Sequence, residues 1–230
     1  APTALSGNRA WSRGRAPNHS KQEMSELDGT TLATIKSPGP SPQGLSWDGE
    51  NLWVADKDER KIFKVNPEDG AQLFSIAFDG ELAGTAWDGT HVWQADRTSR
   101  TISRIDPESG AIELSIPVDL ANGDVSGLFH EDGGIWYGLS RLGQARKVKD
   151  TDGTFMKAFP TRPDICSLVL VGKHLYYTEP NEHVVHKMDA NAGSILISYN
   201  VGGRPTGLAF DGEAFWIADS EAAELRRIKF

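Results

Sequence analysis

The sequence predicts an all-β protein: a five-bladed β-propeller closed by an N-terminal outer strand. Three observations carry that expectation. Near-identical stretches recur, best seen in Gln43-Gly44-Leu45-Ser46-Trp47-Asp48-Gly49, Ala83-Gly84-Thr85-Ala86-Trp87-Asp88-Gly89 and Thr206-Gly207-Leu208-Ala209-Phe210-Asp211-Gly212. With weaker copies, the units start at 44, 84, 127, 167 and 207. Self-similarity near 40 residues marks a repeat architecture. No stretch shows helical periodicity, whereas short apolar runs bounded by Asp, Gly and Pro recur along the chain.

Each element follows from local chemistry. Residues 1–25 lie outside the repeat and carry Arg9, Arg13, Arg15 and Lys21 against Glu23. They read as a flexible basic arm, with Trp11 as its one large anchor. Residues 27–35 match 68–76 and so resemble the outer strand of a unit. Within the first unit, 45–47 is a strand, Asp48-Gly49 a tight turn and 52–55 a second strand. Residues 56–60 form a charged loop, Lys61–Val65 a third strand, 67–70 a turn and 72–78 a fourth strand. Asp-Gly between apolar runs is a strong hairpin signal, expected to need positive φ at both central positions. An aromatic recurs nine residues after each start: Trp53, Trp93, Trp136, Tyr176 and Trp216. That regularity reads as packing between blades. The fifth unit stops after its third strand, at 225–228, and the N-terminal strand is expected to supply the missing fourth. The propeller domain is therefore 26–230.

Composition narrows the function classes. Hydrophobic residues are 38% of 230, yet there are 7 Trp and 24 Gly, as expected of many turns around few large core side chains. The longest largely apolar stretch, 165–171, is too short to cross a bilayer. A net charge of −8 argues against a duplex nucleic-acid binder. The arm is net +3, which leaves 20 basic and 31 acidic side chains, net −11, on the ring. Cys166 is the one cysteine, so no disulfide framework is expected. The chain begins Ala-Pro-Thr, as a mature chain after signal cleavage would, and a periplasmic or secreted location is expected. Asn18-His19-Ser20 has the form of a glycosylation triplet.

The candidate site is the channel mouth, where the loops between blades meet the loops joining second to third strands. Gln43, Ala83, Ser126, Cys166 and Thr206 precede the first strands and form an inner ring. Asp56, Asp96, Leu139, Glu179 and Asp219 follow the second strands and form an outer one. The four carboxylates read either as a cation or acid–base cluster or as turn residues accepting hydrogen bonds from their own loops. Cys166 reads as a small packed side chain, or as a reactive thiol. His183 and His186 lie three apart and, on a strand, point to opposite faces, so they are not expected to chelate one ion. His183 is expected at the rim. Residues 117–126, with Asp119, Asn122, Gly123 and Asp124, are an insertion at the same end, read as a ligand lip or a tolerated loop.

The pattern Gly-Leu-x-Trp-Asp-Gly-x-x-Leu-Trp-x-Ala-Asp, followed by Ile-x-x-Val/Ile-Asn/Asp-Pro-x-x-Gly, resembles the bacterial forty-residue propeller repeats. These include NHL and YVTN-like repeats, virginiamycin B lyases and SMP-30-like lactonases. Pro42-Gln43-Gly44-Leu45 is also similar to the first-blade motif of the five-bladed plant-type glutaminyl cyclases. The lactonase resemblance implies acidic or amide metal ligands where this chain has Gln43, Ala83, Ser126, Cys166 and Thr206. The cyclase resemblance implies a glutamate where this chain has Ala83.

The resulting expectation is a non-catalytic propeller that binds a small molecule or a protein or peptide at the channel mouth. The expected site residues are Gln43, Asp56, Asp96, Cys166, Glu179, His183, Thr206 and Asp219, with no metal or cofactor. The expected assembly is a monomer. The alternative is an enzyme of the glutaminyl-peptide cyclotransferase or lyase type using the same mouth.

Overall fold

The computed structural model describes residues 26–119 and 123–230. The arm 1–25, with Trp11 and the Asn18-His19-Ser20 triplet, and Asn122 of the insertion lie outside the described residues. The chain opens with β1 (Glu26–Asp28) and β2 (Thr30–Lys36). Blade one is β3 (Pro42–Trp47), β4 (Leu52–Asp56), β5 (Lys61–Val65) and β6 (Gln72–Ala77). Blade two is β7 (Leu82–Trp87), β8 (Val92–Asp96), β9 (Thr101–Ile105) and β10 (Ile112–Pro117). Blade three is β11 (Asp124–Glu131), β12 (Gly134–Ser140), β13 (Gln144–Lys149) and β14 (Phe155–Pro160). Blade four is β15 (Leu168–Val171), β16 (His174–Glu179), β17 (Val184–Asp189) and β18 (Ser194–Asn200). Blade five is β19 (Pro205–Phe210), β20 (Phe215–Asp219) and β21 (Glu224–Lys229).

The five sheets form a five-bladed β-propeller, and β2 completes blade five as its outer strand. Ile35 lies opposite Leu225, as Ile76 lies opposite Ile62 in blade one, so the strap has the register of an ordinary outer strand. The match of residues 27–29 to a turn does not hold. β1 instead pairs parallel with β18 as a fifth strand on blade four. The segment thus crosses from the edge of blade four at β18 to the edge of blade five at β21.

Local chemistry explains the uniform parts. Gly70, Gly110, Gly153 and Gly193 take φ between 67° and 77° in the turns between third and fourth strands. The Asp-Gly turns differ from the expected two-residue form. Only the glycine is left-handed at Gly49, Gly89 and Gly212, because the aspartate caps a longer turn with its side chain. Asp48 accepts the amides of Glu50 and Asn51 and the indole N–H of Trp53 at 3.0 Å. Asp88 and Trp93, and Asp211 and Trp216, repeat the indole bond at 2.8 and 3.1 Å. The recurring tryptophans are thus buried packing residues with their one polar atom satisfied. Blade three does carry a two-residue turn, Asp132-Gly133, with positive φ at both.

These caps carry a pH dependence. Burial by itself raises the Asp88 pKa, but the amides of His91 and Thr90, the Trp93 indole and the Thr90 hydroxyl reverse it and hold it at about 2. Asp48 and Asp211 are lowered in the same sense. A carboxyl depressed in the folded state stabilises it above the unfolded pKa of ~4, and that stability is lost as pH falls through the folded pKa. Thermal melts from pH 5 to pH 2 will show a falling Tm. Asp88→Asn will start lower and respond more weakly across the same window. An identical acid slope in both proteins would refute the assignment.

Candidate functional site

The first strands start earlier than the repeat suggests, and the reason positions the site. Blades one, two, three and five each break register near the start of the first strand. Pro42 and Gly44 pair with consecutive residues Asp56 and Ala55, leaving Gln43 as the extra residue of a β-bulge. The same break brackets Ala83 and Gly84, Ser126 and Gly127, and Thr206. A bulge re-aims its side chain. Four of the five inner-ring residues, Gln43, Ala83, Ser126 and Thr206, are therefore bulge residues at one end of the axis, while Cys166 lies just before the regular first strand of blade four.

Just below them the ring is closed by backbone. A Cβ on Gly44 would stand 2.6 Å from Ala83 O, one on Gly84 2.5 Å from Gly127 Cα, and one on Gly207 2.8 Å from the Leu45 Cβ. The innermost strands touch one another, so the mouth has a floor. At the far end Trp47, Trp87, Phe129 and Phe210 surround a void of about 50 Å3.

The mouth is a cavity of about 550 Å3. Gln43, Ser126, Cys166 and Thr206 line it, while Ala83 is buried beside it. Thr206 ties blade five to blade one through Oγ1, which donates to Pro42 O at 2.6 Å. The rim carries Lys57, Arg97 and Arg204, with Asp58 and Asp164. Sequence reasoning missed all five. Lys57 and Arg97 each follow the recurring aspartate, and comparing that next position across units would have exposed them.

The expected carboxylate ring is turned away from the cavity. Asp56 accepts the amide of Ser41 at 2.7 Å and those of Asp58 and Glu59. Asp96 takes Glu81 and Thr98 amides and the Ser99 hydroxyl, which lower its pKa against the opposing effect of burial. Asp219 takes the amides of Arg204, Glu221 and Ala222 and the Arg226 guanidinium. Each aspartate pins an inter-blade loop to its own turn. Gly39, Gly80 and Gly203 press on these three carboxylates, and a Cβ on any of them would collide. The oxygens are thus committed to structure. Asp56, Asp96 and Asp219 are not among the residues that line the cavity.

Blade four departs from the pattern. Glu179 is buried and accepts from, or pairs with, His186 Nε2 at 2.7 Å, while His186 Nδ1 meets Ser198 Oγ at 2.7 Å. His183 takes positive φ at the rim and bonds the Gly203 carbonyl. Neither Glu179 nor His183 lines the cavity, and the two histidines have separate partners. No group of three or more His, Cys, Asp or Glu suited to a metal occurs among the described residues. Cys166 donates to Thr206 O at 3.4 Å. Burial pushes its thiol up to about 11 against the fields of Arg97 and Arg204, so it stays protonated and weakly nucleophilic near neutral pH.

No protein-family model and no curated protein sequence matches the chain. Solved structures do. A glutaminyl cyclase from Myxococcus xanthus superposes with a TM-score of 0.75 at 12% identity, covering 89% of this chain and 98% of that one. A virginiamycin B lyase from Staphylococcus aureus gives 0.53 at 18% identity, covering 84% of this chain and 68% of that one. At these identities the likeness is one of fold.

Proposed function

We propose that this propeller is a binding module whose ligand sits in the channel mouth, without covalent chemistry. One observation carries the reading: the re-aimed side chains of the bulges converge on a floored polar cavity of about 550 Å3, a size typical of small-ligand sites. Fold likeness to enzymes does not transfer activity. The buried carboxylates that an acid–base mechanism would recruit already hold loop amides or His186.

The test uses amide NMR with mixtures of small polar compounds and short peptides. Binding should shift amides around Gln43, Ser126 and Thr206, and Gln43→Trp, which fills the cavity, should abolish those shifts without lowering Tm by more than a few degrees. Shifts that survive Gln43→Trp would place the ligand elsewhere. Cyclisation of an N-terminal glutamine peptide, lost in Gln43→Ala, would replace the binding reading with a cyclotransferase.

A further inference from the structure

The mouth of this acidic ring is edged by cations. Arg97 and Arg204 come from different blades, and both line the cavity together with Cys166. Arg97 is held there by its Nε, which donates to Val125 O at 3.0 Å, directly beside Ser126. Its terminal nitrogens make no hydrogen bond among the described residues; Glu81 lies 3.6 Å from NH1. Glu81 also lies 3.6 Å from Lys57 Nζ, so one carboxylate steadies two cations. Arg204 donates from NH1 to Asn181 Oδ1 at 3.3 Å, and Asn181 in turn donates to Asp164 at 2.9 Å.

A second, independent observation lies on the floor. Ser126 is 1% exposed, lines the cavity, and its Oγ has no hydrogen-bond partner among the described residues. Buried hydroxyls without partners are rare and costly in a folded protein. The Gln43 side-chain amide, half-buried in the same lining, also makes no hydrogen bond among the described residues. Two guanidiniums and an amide thus offer donors to one cavity, and the Ser126 hydroxyl lies just beneath its surface, packed against Gly138. Acceptor oxygens on a ligand match that set, and a guanidinium pair is suited to a planar oxyanion. Asp58 and Asp164 on the same rim repel a highly charged polyanion.

We propose that the mouth binds a small ligand through a single oxyanion, a carboxylate in preference to a phosphate, held by Arg97 and Arg204 with Ser126 and Gln43 beneath. This rests on the binding reading given above and names its ligand class.

N-acetylglycinate, neutral N-acetylglycinamide and inorganic phosphate, each at matched ionic strength in chloride, separate the possibilities by titration calorimetry and amide NMR. N-acetylglycinate should bind saturably and at least tenfold more tightly than the amide. Arg97→Gln and Arg204→Gln should each weaken it about tenfold, and Ser126→Ala less. Arg60→Gln removes an equal charge beside Asp79, away from the cavity lining, and should leave affinity unchanged. Unchanged melting curves will show that the variants fold. Equal binding of acid and amide in the mouth would overturn this inference while leaving the binding reading intact. No mouth binding of any probe, or carboxylate binding indifferent to both arginines, would also overturn it. Phosphate binding tighter than N-acetylglycinate would overturn the carboxylate preference.

Discussion

Deleting residues 1–36 will cost the ring most of its stability, whereas deleting residues 1–25 will leave the melting transition in place. The difference is β2. Blade five has three strands of its own, and β2 pairs with β21 from Thr30 opposite Lys229 to Lys36 opposite Glu224. The chain then runs on through Ser37, whose amide donates to Ala223 O at 2.9 Å, into blade one. The strap therefore makes the junction between first and last blades continuous in the backbone. Without it that junction keeps the contacts of β19 with β3, such as Gly207 against Leu45 and Thr206 against Pro42. Ile35 also leaves a cluster with Leu45, Leu52, Phe63, Trp216 and Leu225. Losing a paired strand, its ladder hydrogen bonds and the buried Ile35 is expected to remove about 5 kcal/mol or more, comparable to a whole domain's stability. Ile35→Ala alone should cost about 2–3 kcal/mol. Circular dichroism melts and size-exclusion chromatography give the readout. The truncated chain should lose its sharp transition and associate through the exposed β21 edge. A shorter chain that melts within a few degrees of the full one would refute the role of the strap.

Gly84→Ala will be the most damaging single methyl group. A Cβ there would overlap backbone atoms of Gly127 and Leu128, and no flexible side chain can yield. Relief requires moving β7 away from β11 at the axis, where every blade is constrained by both neighbours. Overpacking of this kind should cost about 3 kcal/mol or more. In a chain of this size that lowers Tm by roughly 6–12 °C. Gly134→Ala serves as the milder comparison, since the new methyl meets chiefly the Lys147 side chain, with the nearest backbone atom, Val148 O, at 3.2 Å. It should change stability by less than about 1 kcal/mol. Equal effects at the two positions would show that the axis is softer than its backbone contacts imply.

Much of the fold was legible because it is local chemistry repeated. Asp48, Asp88 and Asp211 each cap a turn and bind the indole five residues on, so one motif encodes one hairpin wherever it occurs. The strap was legible for the same reason: residues 27–35 match 68–76 of the first unit. β1 was not, since three residues paired in parallel with β18 leave no periodic trace. At the site, the inner-ring residues were found because they occupy one position in every unit. The recurrence of aspartate after the second strands was equally legible, but its meaning was structural. Asp56, Asp96 and Asp219 recur because every blade must tie an incoming loop.

By itself the sequence determined the strand order, the number of blades, the closure and the end of the ring at which loops converge. These follow from hydrogen bonding and turn geometry within about 40 residues, which a repeat writes out five times. Only the tertiary structure decided which side chains share the mouth. Arg97, Ser126, Cys166 and Arg204 come from different blades and are far apart in the chain. They meet because the loops between blades and the loops after the second strands converge at one end of the axis, and because the glycines below let the inner strands close on one another. Those are properties of the finished ring, and no single unit contains them.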